Sequence, residues 1–287
     1  MPTDSTPTDL VSSDAEVRAI LADPAYVVPP APPAAEAATL AWLRAHATRF
    51  CEGEAHDRRR ALAEQDIAAL DPGKLRQAAA DLAAAELASR ASAEPFDVMP
   101  LARRVPLTAL AAGLGVGQDD IPATVDAVLA AVSGYLNPDL AGPDADSSVA
   151  FLAKTFGPAE PEQLANRIGL LMQACDATAA LVGNALLAAF GADESVDQVI
   201  ARTLVDDPPT LRTRRISPDG DLVTVDISGC PFGTGRRPCP GADQATALAA
   251  GVLDALTTAC ELADQPIDYL PSPNLRMPAR LLVTISA

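Results

Sequence analysis

Apolar residues recur at helical spacing along most of the chain, and loops rich in proline and glycine separate the resulting segments. Apolar positions spaced three and four residues apart are typical of amphipathic helices. The joints at Asp71–Gly73 and Gly113–Gly117 contain residues that end helices. The pattern predicts helices over Asp14–Ala22, Ala34–Phe50, Ala55–Leu70, Leu75–Ala91, Leu107–Ala112, Ile121–Ala131, Val149–Thr155 and Ala242–Ala263.

One further predicted helix, Pro161–Phe190, is apolar on nearly all of its faces. A helix of that kind is usually central to its domain. Two β-like stretches, Arg214–Ser217 and Leu222–Ile227, are joined by Pro218–Asp221, a sequence typical of a hairpin turn. Arg280–Ser286 is predicted as a final strand. The predicted fold is therefore mainly α with a little β.

Composition agrees with helical packing. Hydrophobic residues make up 49% of the 287 residues, while aromatic residues make up only 3%. Alanine and leucine, which favour helices over strands, dominate the apolar set. We expect residues 1–12, rich in Pro, Thr and Asp, to form a disordered tail, and residues 13–287 to form a single domain.

The net charge of −17 argues against nucleic acid as a partner, because the field would repel a phosphate backbone. No membrane segment is predicted, since apolar runs such as Ala245–Leu256 are too short to span a bilayer, and Met1–Asp9 lacks the features of a signal peptide. The five cysteines are odd in number and contain no CxxC pair, so a reduced, cytoplasmic location is expected.

The segment Cys230–Gly241 is the most informative part of the sequence. Cys239 precedes a long apolar helix and has Arg236 and Arg237 close by, so we expect a lowered thiol pKa and a natural metal ligand. The glycines of the segment would let the backbone approach a flat cofactor. A buried free cysteine in a turn is the simplest alternative. A zinc site is disfavoured, because Cys230 is the one nearby partner and no histidine is close.

Phe232, Gly235, Arg237, Cys239 and Gly241 match all five positions of the Phe-x-x-Gly-x-Arg-x-Cys-x-Gly signature, and so this segment resembles the cytochrome P-450 family. The resemblance implies a truncated P-450-like fold, with a long central I-type helix and a cysteine loop before an L-type helix. It also implies haem b, with iron ligated by the Cys239 thiolate and a propionate bound by Arg237.

Other cations resemble the family's propionate ligands. His56 and Arg60, four residues apart, look like the family's His-x-x-x-Arg, although such a pair is equally typical of a solvated helix face. Pro208–Arg215 resembles the segment in which an arginine entering a strand binds a propionate. Arg215 is the first candidate and Arg212 the second, with an exposed basic hairpin edge as the alternative.

The predicted central helix resembles the I helix, which crosses the distal face of the haem, so Ala174 and Ala177 are candidate cofactor contacts. Asp176 matches the acid of the family's acid–alcohol pair, but the alcohol position falls on Ala177. Thr178 lies one residue further on, about 100° around the helix. Asp176 and Thr178 are the candidate catalytic residues, and the proton relay that activates oxygen is expected to be impaired.

Three further features depart from the family pattern. The Glu-x-x-Arg pair is missing, since Glu194 and Arg202 are eight residues apart. About fifteen residues separate Arg215 from the cysteine loop, where the family has further strands and a meander. The chain is also short, and Asn137–Pro158 would have to supply the distal lid, so a more open distal pocket is expected.

These features predict a haem-thiolate oxidoreductase of secondary metabolism that acts on a small organic substrate. Its chemistry would be peroxide-dependent (a peroxygenase), non-oxygenating, or an atypical monooxygenation. A redox partner or another biosynthetic protein could close the distal side, and apolar surface left by the missing elements is compatible with a homodimer. The alternatives are a P-450-derived scaffold that binds haem or activates a partner without catalysis, and a decayed protein without a cofactor.

Overall fold

The computed structural model describes residues 10–34, 36–90 and 94–286. Helices dominate this part of the chain: α1 (Asp14–Ala22), α2 (Leu40–His46), α3 (Gly53–Ala68), α4 (Pro72–Ala88), α5 (Met99–Gly113), α6 (Ile121–Leu136), α7 (Ala145–Phe156), α8 (Pro161–Ala189), α9 (Val196–Asp206) and α10 (Ala242–Ala259). Short 3-10 turns lie at Thr48–Phe50, Gln118–Asp120 and Pro138–Leu140. The mainly α prediction is confirmed.

Six short strands form two small sheets: β1 (Leu10–Val11), β2 (Phe96–Asp97), β3 (Arg212–Ile216), β4 (Leu222–Asp226), β5 (Cys260–Leu262) and β6 (Leu282–Ile285). The first sheet has the order β1-β4-β3 and the second β2-β6-β5. In the β3–β4 hairpin, Arg212 pairs with Asp226 and Arg215 with Val223. Gly220, at φ 92°, adopts the left-handed conformation that the hairpin turn requires. The predicted hairpin and final strand are confirmed.

Helix α8 runs through the centre of the molecule and contacts α2, α3, α5, α6, α7, α9 and α10. It is long and apolar enough to cross a membrane, but 67% of its most apolar stretch is buried inside the protein. One hydrophobic cluster surrounds it and extends from Leu40 to Val283. A smaller cluster joins α1 to β4 through Val17, Leu21 and Val225. The central position predicted for this helix is confirmed.

Several local predictions differ from the structure. The helix predicted over Ala242–Ala263 ends at Ala259, directly before strand β5, and the helix predicted over Leu107–Ala112 already begins at Met99. The helix predicted over Ala34–Phe50 is reduced to α2 and a 3-10 turn, because the Thr39 hydroxyl accepts a hydrogen bond from the Trp42 N–H (3.1 Å) and starts the helix there. Helix α9 was not predicted, although Ser195 and Gln198 form a capping box at its start. Leu10–Val11 of the expected tail is a strand paired with β4, and residues 1–9 lie outside the described residues.

Candidate functional site

The cysteine loop joins the β3–β4 hairpin to α10 in a series of tight turns. The Gly233 N–H donates to the Cys230 carbonyl and the Cys239 N–H to the Phe232 carbonyl, both at 2.7 Å. Helix α10 begins at Ala242, with Gly241 as its N-terminal cap. The loop therefore presents Cys239 immediately before the first turn of α10, as the sequence predicted.

Gly235 fixes the loop against the N-terminal helix α1. Its φ is 69°, and a Cβ at this position would lie 2.3 Å from the Leu21 carbonyl oxygen, closer than any side chain allows. The neighbouring Arg236 N–H donates to the same carbonyl at 3.1 Å. The glycine in the predicted signature thus permits a close backbone approach to α1.

Cys239 is an exposed residue whose sulfur is nevertheless crowded by protein atoms. Burial raises the pKa of the Cys239 thiol, and a hydrogen bond from the Gly241 backbone and the charge of Arg60 oppose that rise. The expectation of a lowered thiol pKa is therefore wrong for the protein alone.

Arg237 does not add to the field at the thiol, because its charge is compensated elsewhere. Its Nη2 lies 2.8 Å from the Glu52 carboxylate and also donates to the Cys51 carbonyl. Arg236 lies 3.8 Å from the same carboxylate. Glu52 in turn accepts a hydrogen bond from the Val28 N–H. Glu52, which the sequence argument did not single out, thus anchors both loop arginines.

Arg215 is buried on β3, with only 7% of its surface exposed. Its guanidinium donates to the Thr213 hydroxyl at 3.1 Å and to the Arg214 carbonyl at 2.9 Å. Among the described residues it has no carboxylate within ion-pair distance. Burial lowers the pKa of Arg215 to about 10, and the charge of Arg237 lowers it further. The Glu52 carboxylate, which lies beyond ion-pair distance, partly opposes this shift, and Arg49 and Arg236 add smaller lowering contributions. The second candidate, Arg212, is exposed.

His56 and Arg60 both lie on α3, as predicted, and both are engaged by protein groups. His56 Nδ1 lies 3.0 Å from the Asp57 carboxylate. Arg60 donates to the Pro238 carbonyl at 2.7 Å and to Glu64 at 2.6 Å. Pro238 directly precedes Cys239 in the chain, so this hydrogen bond places Arg60 close to the candidate iron ligand.

The candidate residues of α8 lie on different faces of the helix. Ala174 and Ala177 are half-buried and share a face with Gln173, which is exposed. Asp176 forms an ion pair with Arg103 of α5 at 3.0 Å and accepts a hydrogen bond from the Cys175 thiol. Thr178 is 2% exposed and packs inside the core. The structure thus gives Ala174 and Ala177, but not Thr178, partly accessible surface.

Two features of the structure were not anticipated from the sequence. Glu194 and Arg202, which lie too far apart in the chain for the Glu-x-x-Arg motif, nevertheless form an ion pair at 2.6 Å. Arg44 and Arg49 lie near Tyr135 and the basic strand β3. The one sequence signal for these arginines was their position in an otherwise apolar segment that leads to Phe50.

Comparison with known proteins identifies the fold. No family model and no curated protein matches the sequence. Solved structures match nearly the whole chain. P450BioI, in complex with acyl carrier protein ligated to hexadec-9Z-enoic acid, has a TM-score of 0.76 at 16% identity, covering 98% of this chain and 93% of that chain. CalO2 has a TM-score of 0.76 at 18% identity, covering 96% and 90%. CYP154A1 from Streptomyces coelicolor A3(2) has a TM-score of 0.75 at 19% identity, covering 97% and 92%.

The chain therefore has a cytochrome P450 fold, in a shortened form of 287 residues. This confirms the fold expected from the cysteine loop and the central helix.

Proposed function

We propose that the chain binds haem b between α8 and the cysteine loop, with the Cys239 thiolate as the iron ligand. The observation that carries the proposal is Arg215, a buried cation without a carboxylate partner in the described part of the chain. A buried charge is costly unless an opposite charge compensates it. A haem propionate would supply that opposite charge next to the loop that presents Cys239.

Other residues fit the same group. Burial raises the pKa of the Cys239 thiol in the protein alone, and the Gly241 N–H would donate a hydrogen bond to the sulfur of an iron-bound thiolate. Ala174 and Ala177 give α8 a narrow side-chain profile on its partly accessible face. His56, Arg60 and Arg237 are the further propionate candidates, and Arg212 lies exposed at the start of β3. Phe232, Gly235 and Gly241 shape the loop that would hold the haem.

When bound, a thiolate-ligated haem supplies oxidising chemistry, because the thiolate pushes electron density toward iron and favours O–O cleavage. The chain's own residues limit how protons reach the distal side. Asp176 is held by Arg103, so its carboxylate must leave that ion pair before it can accept or release a proton there. Ala177 offers no hydroxyl, and the Thr178 hydroxyl is buried. This arrangement favours peroxide-dependent or non-oxygenating chemistry, or an atypical monooxygenation, over a relayed oxygen activation.

We further propose a cytoplasmic enzyme of secondary metabolism that acts on a small organic substrate, alone or closed by a redox partner or a biosynthetic protein. All five cysteines are free, which suits a reducing compartment. P450BioI was crystallised with an acyl carrier protein, so substrates bound to a carrier protein should be tested alongside free ones. We also propose that the chain forms a homodimer, which analytical ultracentrifugation would test.

A non-catalytic scaffold is the second candidate. It is favoured by the pairing of Arg237 with Glu52 and of Arg60 with Glu64, since these cations are already compensated without a cofactor. Such a protein would bind a partner enzyme without taking up haem. Co-purification with that partner in a haem-free state is the expected observation under this candidate.

The test is an absorption spectrum of the purified protein after reconstitution with haemin and reduction under carbon monoxide. We expect a strongly red-shifted Soret band that is lost in Cys239→Ser and kept in the matched control Cys230→Ser, whose thiol lies in the same loop. Absence of haem uptake, or a spectrum that Cys239→Ser leaves unchanged, would refute the proposal. Turnover with peroxide against reduced ferredoxin then separates the three kinds of chemistry.

A further inference from the structure

The haem site proposed above gives Glu52 no role of its own. This residue occupies the N-cap position of α3, but its side chain forms no hydrogen bond with the first turn of that helix. A side-chain oxygen at an N-cap ordinarily accepts from the N–H groups of its own helix. Both oxygens of Glu52 contact other parts of the chain instead, so its carboxylate serves tertiary contacts.

The two oxygens of Glu52 contact different elements. Oε1 accepts a hydrogen bond from the Val28 N–H at 2.7 Å. Oε2 lies 2.8 Å from Arg237 Nη2 and 3.8 Å from Arg236 Nη1. The side chain of Glu52 is 25% exposed and that of Arg237 13%, so solvent screens this ion pair less than a pair on the surface. Glu52 therefore joins the N-terminal segment, the cysteine loop and the start of α3.

Backbone contacts extend this junction to strand β3. Val27, which precedes Val28, pairs with Ile216: its N–H donates to the Ile216 carbonyl at 3.1 Å, and the Ile216 N–H donates back at 2.8 Å. Ile216 directly follows Arg215, the buried cation that carries the haem proposal. Glu52 thus connects the three elements on which the propionate candidates lie, namely α3, β3 and the cysteine loop.

Arg237 is held through one of its three guanidinium nitrogens. Nη2 lies beside Glu52 and also donates to the Cys51 carbonyl. Its Nε and Nη1 have no hydrogen-bond partner within residues 10–34, 36–90 and 94–286, and neither atom is fully buried. The N–H donors of a guanidinium group lie in one rigid plane, so a partner at one nitrogen helps to orient the others. The remaining N–H groups of Arg237 are therefore oriented and open to an acceptor.

We propose that Glu52 is a positioning residue of the haem site, and that its carboxylate holds Arg237 by Nη2 so that the remaining N–H groups bind a propionate. Partners that orient the groups around a metal centre typically change its affinity by about 10- to 100-fold. This proposal rests on the proposed function. The ion pair with Glu52 then prepares Arg237 for the cofactor and does not replace the cofactor.

A carboxylate beside Arg237 could act in one of two ways, and these differ in sign. A positioning carboxylate strengthens haem binding, because it orients the guanidinium group before the ligand arrives. A competing carboxylate weakens haem binding, because it occupies the donors that a propionate needs. The unpaired Nε and Nη1 of Arg237 support positioning.

Glu52→Gln tests the sign. The amide keeps an oxygen for the Val28 N–H but removes the charge that holds Arg237. We expect haemin to bind this variant about tenfold more weakly than the parent protein, measured by titration of the Soret absorbance. Glu194→Gln is the matched control, because Glu194 also pairs with an arginine, Arg202, at 2.6 Å and is similarly exposed, at 34%. It should leave the haemin affinity unchanged.

Two further titrations separate positioning from a general structural effect. In an Arg237→Gln background, Glu52→Gln should cause no further loss of haemin affinity, because Glu52 acts through Arg237. With iron protoporphyrin IX dimethyl ester, whose propionates carry no charge, the parent protein and Glu52→Gln should bind equally well. An undiminished loss in either titration would show that Glu52 merely stabilises the loop, and would overturn the proposal.

The outcomes also separate this proposal from the proposed function. If the parent protein gives the thiolate spectrum but Glu52→Gln binds haemin equally or more tightly, the haem site stands and the role of Glu52 is overturned. A tenfold loss in Glu52→Gln, with a spectrum that Cys239→Ser leaves unchanged, would support the role of Glu52 and refute the thiolate ligand. Absence of haemin uptake by the parent protein would overturn both proposals.

Discussion

Two sets of arginines in this molecule differ in what compensates their charge. At the junction of α3 and α8, Arg58 and Arg59 both donate to Glu162, with distances of 2.7 Å to 2.9 Å. Arg59 also donates to the carbonyls of Ala45 and Ala47. Near the cysteine loop, by contrast, Arg215 lacks any carboxylate partner among the described residues. Both sets include a buried guanidinium, so burial alone does not distinguish them.

The difference indicates which arginines stabilise the fold and which serve a ligand. A paired cation lowers the free energy of the folded protein, and removal of its partner is costly. An unpaired buried cation raises that free energy until a ligand compensates it. The paired set should therefore respond to substitution in stability, and the unpaired set in ligand binding.

The largest expected effect comes from Glu162→Gln, which removes the charge that compensates Arg58 and Arg59. We expect a loss of about 2–3 kcal/mol in the free energy of unfolding, because the buried Arg59 keeps its charge without a carboxylate. Urea denaturation followed by circular dichroism measures it. A loss below about 0.5 kcal/mol would contradict the assigned role of the paired set.

The Glu162 carboxylate should make part of the free energy of unfolding sensitive to acid. Hydrogen bonds from Arg58 lower the pKa of Glu162 from 4.5 to about 2. Because the folded-state pKa is the lower one, this share is fully present above about pH 4.5 and is lost as pH falls toward 2. The difference in free energy of unfolding between the parent protein and Glu162→Gln should shrink by about 2 kcal/mol over that interval, a figure that allows for the partial exposure of the pair. Parallel pH profiles would contradict the prediction.

Arg215→Met should act in the opposite direction on the haem-free protein. Its folded-state pKa of about 10 lies below the ordinary value for an arginine, so the charged form destabilises the fold below pH 10, and the penalty is relieved as pH rises above it. We expect a gain of about 1–2 kcal/mol at neutral pH and haemin affinity about tenfold weaker. Thermal unfolding and haemin titration measure the two effects. A loss of stability with unchanged haemin affinity would reverse the assignment.

Arg58→Gln should have the smallest effect, because 58% of this side chain is exposed. We expect less than about 1 kcal/mol in the free energy of unfolding, with no change in haemin affinity. Comparison with Glu162→Gln in one urea series then separates the contribution of the exposed Arg58 to stability from that of the buried Arg59. An effect as large as that of Glu162→Gln would show that Arg59 contributes little.

Sequence reasoning predicted the elements that local signals determine. The hairpin follows from alternating residues around Gly220, the central helix from its apolar faces, and the cysteine loop from Phe232 to Gly241. Reasoning from Cys239 alone gave the wrong direction for its pKa, because the helix N-terminus is a local feature whereas burial depends on the whole fold. The Glu194–Arg202 pair depends on a contact that folding brings together, and it has no local signature.

The contacts of the cysteine loop also bear on the order in which the protein assembles. Arg237 bonds a carbonyl 186 residues away in the chain, and Arg60 reaches a loop carbonyl 178 residues away. Contacts between such distant residues form slowly, since a long segment must be closed before they stabilise anything. Helix α1, which supports the loop, precedes it in the chain and must wait for the loop to emerge. We therefore expect Cys239 to reach its final position late, after most of the helical core has formed around α8.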